Sequence, residues 1–449
     1  MIAIQQSEKY TRNGFLAPAE TLVGVAGVAA VTLAYSVLKV AAAAEIWVPV
    51  ILATKPIVDL TWRIEFMNVL GQRVNSQSLV AIGAILLTLV ASVVRRENLL
   101  VDRYIVALLG CAILSTVISL TSAGLDELIR FSCGLCFFFI AGKAIQDQTG
   151  FDRFVRAFLV CVLVPVVLGL LQVAGLLPYE YWDWIDGQTV GRLSGTYQHP
   201  LGLVYFLLFA FPLSLYLLHN PSTSRKNKIL IVVGFPIATA ALVLTYHRTG
   251  LIAVALEIVM WYWLTRRLRL KYILYLIPVL LLAAPTYFRW VSVLYDPSNL
   301  IGPGTGDLFR GRGLNWILFL MSLFASHPFY WFIGKGVSLA QGFVPGFGMY
   351  YSDEAHNDFV RILYVYGIIG ICLYLAVLYR LFKQARVIRS RSDPFSRNLG
   401  NITLAILPAF LLMSMTGEPL RYPTGAWYLF ALASIVQARC GALIRCDRH

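Results

Sequence analysis

His356 follows the acidic pair Asp353-Glu354 and Ala355, and precedes Asn357-Asp358 and an apolar stretch that begins at Phe359. Imidazole exchanges a proton near neutral pH, so a histidine at the entrance of an apolar span suits removal of a proton from an incoming hydroxyl. Taken alone it would read as a capping or surface histidine. The carboxylates of Asp353, Glu354 and Asp358, which would orient or bias the ring, make it a candidate base. The same cluster lacks the fixed spacing of a metal site, and no metal-ligand set is assigned. Asn357 or Asp358 has the side chain to cap the helix that follows.

Arg248 lies in Thr245-Tyr-His-Arg-Thr-Gly250, between two apolar runs joined by a very short turn. A guanidinium there either reaches back to lipid headgroups or faces the interior of a helix bundle as an anion clamp. Its planar, permanently charged fork matches a diphosphate better than a carbohydrate. Arg310 and Arg312 flank Gly311 at the start of an amphipathic stretch, 312–325, that would lie at the membrane surface with Trp316 at an interfacial depth. The first backbone N–H groups of such a helix favour an anion; the alternative is two arginines on anionic lipid. The stretch 178–199 carries Tyr179, Tyr181, Trp182, Asp183, Trp184 and Asp186 and ends in Gly195-Thr-Tyr-Gln-His199, before Pro200. Its rings would stack on sugars or form an interfacial belt, the second being the simpler reading.

Side chains of these kinds need rigid elements to converge, and the composition says what those elements are. Of 449 residues, 58% are hydrophobic and 13% charged, with a mean hydropathy of +0.71, which excludes an ordinary soluble domain. Apolar runs such as 78–94, 104–120, 158–177 and 201–218 have the length needed to cross a hydrocarbon core as helix. The reading is an all-α polytopic membrane protein of about 12 transmembrane helices in a single domain, 1–449, with no internal repeat. The first apolar stretch starts near Leu22 without a convincing cleavage site and would act as its own insertion signal. Residues 22–54 form either one kinked span or two short ones, and one span keeps Lys9 and Arg12 on the cytoplasmic side.

The net charge of +14 follows the bilayer rather than nucleic acid, which is not expected as a partner. Of 37 Lys and Arg, 22 fall in 95–103, 143–156, 219–228, 265–271, 380–400 and the C-terminal tail, which are therefore assigned to the cytoplasm. The intervening stretches 55–76, 123–128, 178–199, 246–248, 285–357 and 417–424 carry 10 and are assigned outside. The long outside loop 285–357 is an expected functional element. Seven cysteines sit in or beside apolar spans, so no disulfide framework is expected. Cys133 and Cys136 lack a second ligand pair and read as small core residues. Asp-Glu-Ala-His at 353–356 has no accompanying phosphate loop, and Gly302-Pro-Gly-Thr-Gly306 reads as a turn.

His-Arg-Thr-Gly at 247–250 heading a span, Gly-Arg-Gly-x-x-Trp at 311–316, and His-Asn-Asp-Phe at 356–359 leading into another resemble the shared region of O-antigen ligases and Wzy-type polymerases. The segment at 195–200 resembles one that precedes an upstream span in that family, so the resemblance covers roughly 190–382. It implies a fold similar to GT-C glycosyltransferases and metal-independent transfer of a glycan from undecaprenyl diphosphate, without a cofactor, at the periplasmic face of the bacterial inner membrane. It further implies that His356 activates the acceptor hydroxyl while Arg248 and Arg312 hold the diphosphate. Arg310, His199, Arg192, Arg289, Asp353 and Glu354 are assigned to substrate binding. His247 stands where the family usually has a small Ser, which bears on local packing.

The acceptor separates a polymerase, which extends a lipid-linked repeat unit and is the preferred reading, from a ligase, which uses lipid A core. A chain-length regulator and a flippase are implied partners through the family alone. A flippase or transporter for the same lipid is the competing class; it would spread polar groups through the midplane and carry repeats. A structural scaffold gives no reason to bury Arg248.

Overall fold

The computed structural model describes residues 43–61, 65–69, 72–94, 102–185, 188–266, 312–337, 342–344, 349–351 and 355–446. Its helices are α1 (Ala44–Leu60), α2 (Ser76–Val94), α3 (Arg103–Ser119), α4 (Ser122–Ala144), α5 (Gln148–Val173), α6 (Pro200–His219), α7 (Arg225–Leu244) and α8 (Arg248–Leu264), followed by α9 (Arg312–Phe324), α10 (Pro328–Ile333), α11 (Asp358–Arg389), α12 (Pro394–Thr416) and α13 (Pro423–Cys446). Three antiparallel hairpins fill connections: β1 (Glu65–Val69) with β2 (Gln72–Asn75), β3 (Tyr181–Ile185) with β4 (Gln188–Arg192), and β5 (Gly342–Val344) with β6 (Met349–Tyr351). Among the described residues six helices, α5, α6, α7, α11, α12 and α13, are long and apolar enough to cross a membrane. The chain is thus a helical, polytopic membrane protein. The expected 12 spans and the one-or-two question at 22–54 extend into residues outside those described.

The bundle is built around α6. In its apolar window 89% of residues are buried, against 11% for α7, so α6 is the central post and α7 a peripheral one. Aromatic contacts radiate from it: Phe206 lies 4.8 Å from Phe158 of α5 and 5.8 Å from Tyr428 of α13. Side-chain caps end the helices where the sequence offers an acceptor, as with Asp102 on α3, Thr121 on α4, Asp147 on α5 and Ser224 on α7.

One charge-pattern assignment needs correction. The stretch from 55 is not loop, because α1 continues to Leu60. Lys55 and Asp59, one turn apart, are both buried and paired, with Lys55 4.9 Å from the Trp427 ring centroid and Gln77 Nε2 donating to Asp59 Oδ1 at 2.9 Å. Two ionisable side chains four apart can neutralise each other on a single helix face, so their presence does not mark a loop.

The stretches assigned outside hold structure. In 178–199 lies the β3–β4 hairpin, and in 285–357 lie α9, α10 and the β5–β6 hairpin. The amphipathic stretch at 312–325 is indeed a helix, α9.

A break divides α11. Gly367 has φ 68° and ψ −170°, which separates the arm beginning at Asp358 from the long remainder. The carbonyls freed there are taken up from outside the helix. Lys335 N–H donates to Tyr364 O at 2.9 Å, Gly336 N–H to Val365 O at 3.2 Å, and Ser115 Oγ to Val365 O at 2.8 Å.

Candidate functional site

The segment entering α11 is held atom by atom. Trp316 of α9 donates from Nε1 to Ala355 O at 2.6 Å. His356 itself adopts φ 51°, a left-handed conformation that strains a residue with a Cβ, and its N–H donates to Glu418 Oε1 at 2.8 Å. Asn357 caps the helix, its Oδ1 accepting from Phe359 N and Val360 N at 2.9 and 3.1 Å, while its Nδ2 donates to Met415 O at 3.1 Å. Asp358 is not the cap. Its Oδ2 accepts from Ser414 Oγ at 2.9 Å and Leu420 N at 3.3 Å, tying α11 to the turn between α12 and α13.

Around Glu418 the charges form a network. Arg361 of α11 grips Glu127 of α4 through Nε and Nη2, at 3.2 and 2.7 Å, and its Nη1 lies 3.8 Å from Glu418 Oε2. Arg421 Nη1 approaches the same Glu418 oxygen at 3.4 Å. Glu418 therefore serves two guanidiniums and the His356 main chain at once, with its side chain only 2% exposed. Burial of such a group is tolerable only because every oxygen is engaged.

The second wall starts at the turn between α7 and α8. His247 caps α8, with Nδ1 accepting from Gly250 N at 3.0 Å, and Arg248 is the first helical residue. A histidine thus does here what a serine does at an N-cap. Arg192 at the end of β4 donates from Nε to Thr245 O at 2.8 Å, and Leu193 N donates to Leu244 O at 3.1 Å. These bonds fasten the β3–β4 hairpin to the Arg248 turn.

A chain of rings connects the two walls. The Arg192 guanidinium lies 5.5 Å from the Tyr181 ring centroid, Tyr181 is 4.3 Å from His199, His199 is 6.1 Å from Tyr422, and Tyr422 is 5.3 Å from Tyr205. The Tyr205 hydroxyl accepts from Glu418 N at 3.1 Å, which closes the path to His356. His199 caps α6 through Nδ1, which accepts from Leu201 N at 3.1 Å. In the adjoining loop Tyr197 is enclosed, and that burial pushes its hydroxyl well above the usual phenol range.

Of the residues selected from sequence, Arg192, His199, Arg248 and His356 meet at this one end of the bundle. Arg192 is buried against main chain and ring, so its first contribution is to hold the hairpin. Arg312 opens α9, the helix whose Trp316 pins Ala355. Arg289, Arg310, Asp353 and Glu354 lie outside the described residues. Among the described residues, Glu418 and Trp316 hold the His356 segment. Glu127, Arg361, Glu418 and Arg421 were missed by sequence reasoning. The available signal was their ionisable character within or beside apolar spans, where unpaired charge is costly. Among the described residues no group of three or more His, Cys, Asp and Glu is arranged to hold a metal ion.

Such a site presents an imidazole on a fixed backbone, permanent cations, and rings for a carbohydrate face. Residues 233–375 match the family model described as O-Antigen ligase. The match begins in α7 and ends in α11, and so includes Arg248, Arg312 and His356. No curated protein matches the chain.

Proposed function

We propose, for a chain that carries the O-antigen ligase and Wzy-like family region, that it transfers a glycan from a polyprenyl diphosphate to an acceptor sugar hydroxyl at the His356 end of the bundle. The observation that carries this reading is the backbone of His356, held in a left-handed conformation by Glu418 at the entrance of α11. In the proposed step the acceptor oxygen bonds to the sugar C1 as the C1–O bond to the diphosphate breaks. The hydroxyl proton passes to the imidazole of His356, and the bonding electrons leave with the diphosphate. Arg248 and Arg312 meet that departing charge, which permanent cations stabilise. Cations supplied by side chains make a metal unnecessary for this chemistry.

Elongation of a lipid-linked repeat unit, as a polymerase at the periplasmic face of the inner membrane, is the reading taken here. Transfer to lipid A core is the second, favoured by the description of the matched family model. The purified protein, given lipid-diphosphate repeat units with and without EDTA, is expected to extend the glycan in both. His356→Ala, with an unchanged melting temperature, is expected to slow extension by about 10²–10⁴-fold, the usual worth of a positioned base. Normal extension by that variant removes His356 from the chemistry. Inactivity on repeat units with transfer to added lipid A core selects the ligase.

A further inference from the structure

Far from the His356 end, α5, α6 and α7 enclose an apolar crevice of about 320 Å³. Leu159, Val162 and Val166 of α5 form one wall and Leu230, Gly234 and Ala238 of α7 the other, over Phe211 of α6. Phe211 meets Phe235 edge to face at 4.8 Å, which closes the floor. Along α5 the lining runs from Arg156 to Val166. Ten residues of helix rise about 15 Å, half of the roughly 30 Å hydrocarbon thickness. The crevice therefore has the depth of one leaflet.

Its mouth is basic. Arg156 and Asn227 line it, and Arg225, Lys226 and Lys228 stand in the first turn of α7, beside the positive end of that helix. Asp152, one turn before Arg156, is already committed to Tyr216 and Asn220, whose Nδ2 donates to it at 3.2 Å. Arg156 is exposed and lines the mouth of a crevice whose interior is hydrocarbon-like.

We propose that this crevice is a binding site for an anionic phospholipid of the leaflet on the Arg156 side, with one acyl chain between α5 and α7 and the phosphate at Arg156 and the α7 N-terminus. Charge complementarity at the mouth and the one-leaflet depth point to this occupant, and the proposal is independent of the glycan-transfer reading.

Gly234 supplies the discriminating variant. A Cβ built on it meets nothing within 4 Å, so a large side chain there fills the crevice without disturbing the helix packing. The full chain would be purified, exchanged into phosphatidylglycerol or phosphatidylcholine, and weighed intact by native mass spectrometry. Wild type is expected to retain one phosphatidylglycerol in preference to phosphatidylcholine. Arg156→Ala should reduce that preference about fivefold, the effect of one basic group at an anionic surface. Gly234→Phe should abolish retention of both lipids at an unchanged melting temperature. Retention by Gly234→Phe equal to wild type, or an undiminished preference in Arg156→Ala, overturns the proposal. Displacement of phosphatidylglycerol by an equal amount of polyprenyl phosphate overturns it too, by assigning the crevice to the isoprenoid.

Discussion

At the scale of single residues, the chemistry-bearing groups are set by partners distant in the chain. His356 is separated from Glu418 by 62 positions, yet their bond fixes the His356 backbone. Glu418→Ala removes that acceptor and leaves Arg361 and Arg421 short of a counter-charge. Breaking a buried charge network this way costs about 3–5 kcal/mol. Glu418→Gln keeps an oxygen for the His356 N–H while losing the charge, so it should melt between wild type and the alanine variant and retain more glycan extension. Thermal melts and extension rates on both proteins check the order; equal loss in the two would mean that charge alone matters. His356, Arg248 and Arg312 could be singled out from sequence because each sits in a short polar motif at the edge of an apolar run. Glu418 was not, since nothing in Gly417-Glu418-Pro-Leu announces which segment folds back on it.

At the scale of elements, hydropathy marked apolar helices but concealed the break in α11. Nothing in the apolar run from Phe359 onward marks an interruption at Gly367. Its conformation, φ 68° with ψ −170°, belongs to a region that only glycine enters easily. A Cβ there would stand 2.3 Å from the Phe332 carbonyl carbon and oxygen, and one at Gly334 would stand 2.1 Å from Val365 O. The two backbones interlock at these glycines. Gly367→Ala is therefore expected to cost upwards of 1–3 kcal/mol from conformation alone, and more from the overlap. It should lower the yield of folded protein and the melting temperature, whereas Gly234→Ala, in open space, should do neither. The hairpin in 178–199 escaped sequence reading for another reason: its aromatic residues suit a sugar-stacking surface or an interfacial belt, and either use leaves the backbone conformation open.

For the whole molecule, composition and loop charge sufficed to recognise a polytopic membrane protein, because the bilayer imposes length and polarity on every span. The rule failed at Lys55, where pairing with Asp59 hid a charge inside the bundle. Another ion pair joins distant parts of the chain: Asp393, the cap of α12, accepts from Arg439 of α13 at 2.9 Å. Partial burial raises the Asp393 carboxyl, but bonds from Ser396 and the Arg439 guanidinium outweigh it and hold the group below its ordinary 3.8. A depressed carboxyl stabilises the fold above the unfolded pKa and loses that contribution as pH falls through the native value. Acid melts should therefore lose stability below about pH 4, and Asp393→Asn should lose less over that window. The bond between Glu418 and His356 also has a consequence in time. Translation delivers α11 to the bilayer before α12, and the acceptor that fixes His356 lies beyond α12. The Glu418 oxygen therefore reaches the His356 N–H only after α12 has been threaded and its outgoing turn delivered. Insertion itself times the closing of this contact: a nascent chain halted at α11 carries all of residues 233–375 and still lacks the Glu418 oxygen that fixes the His356 backbone.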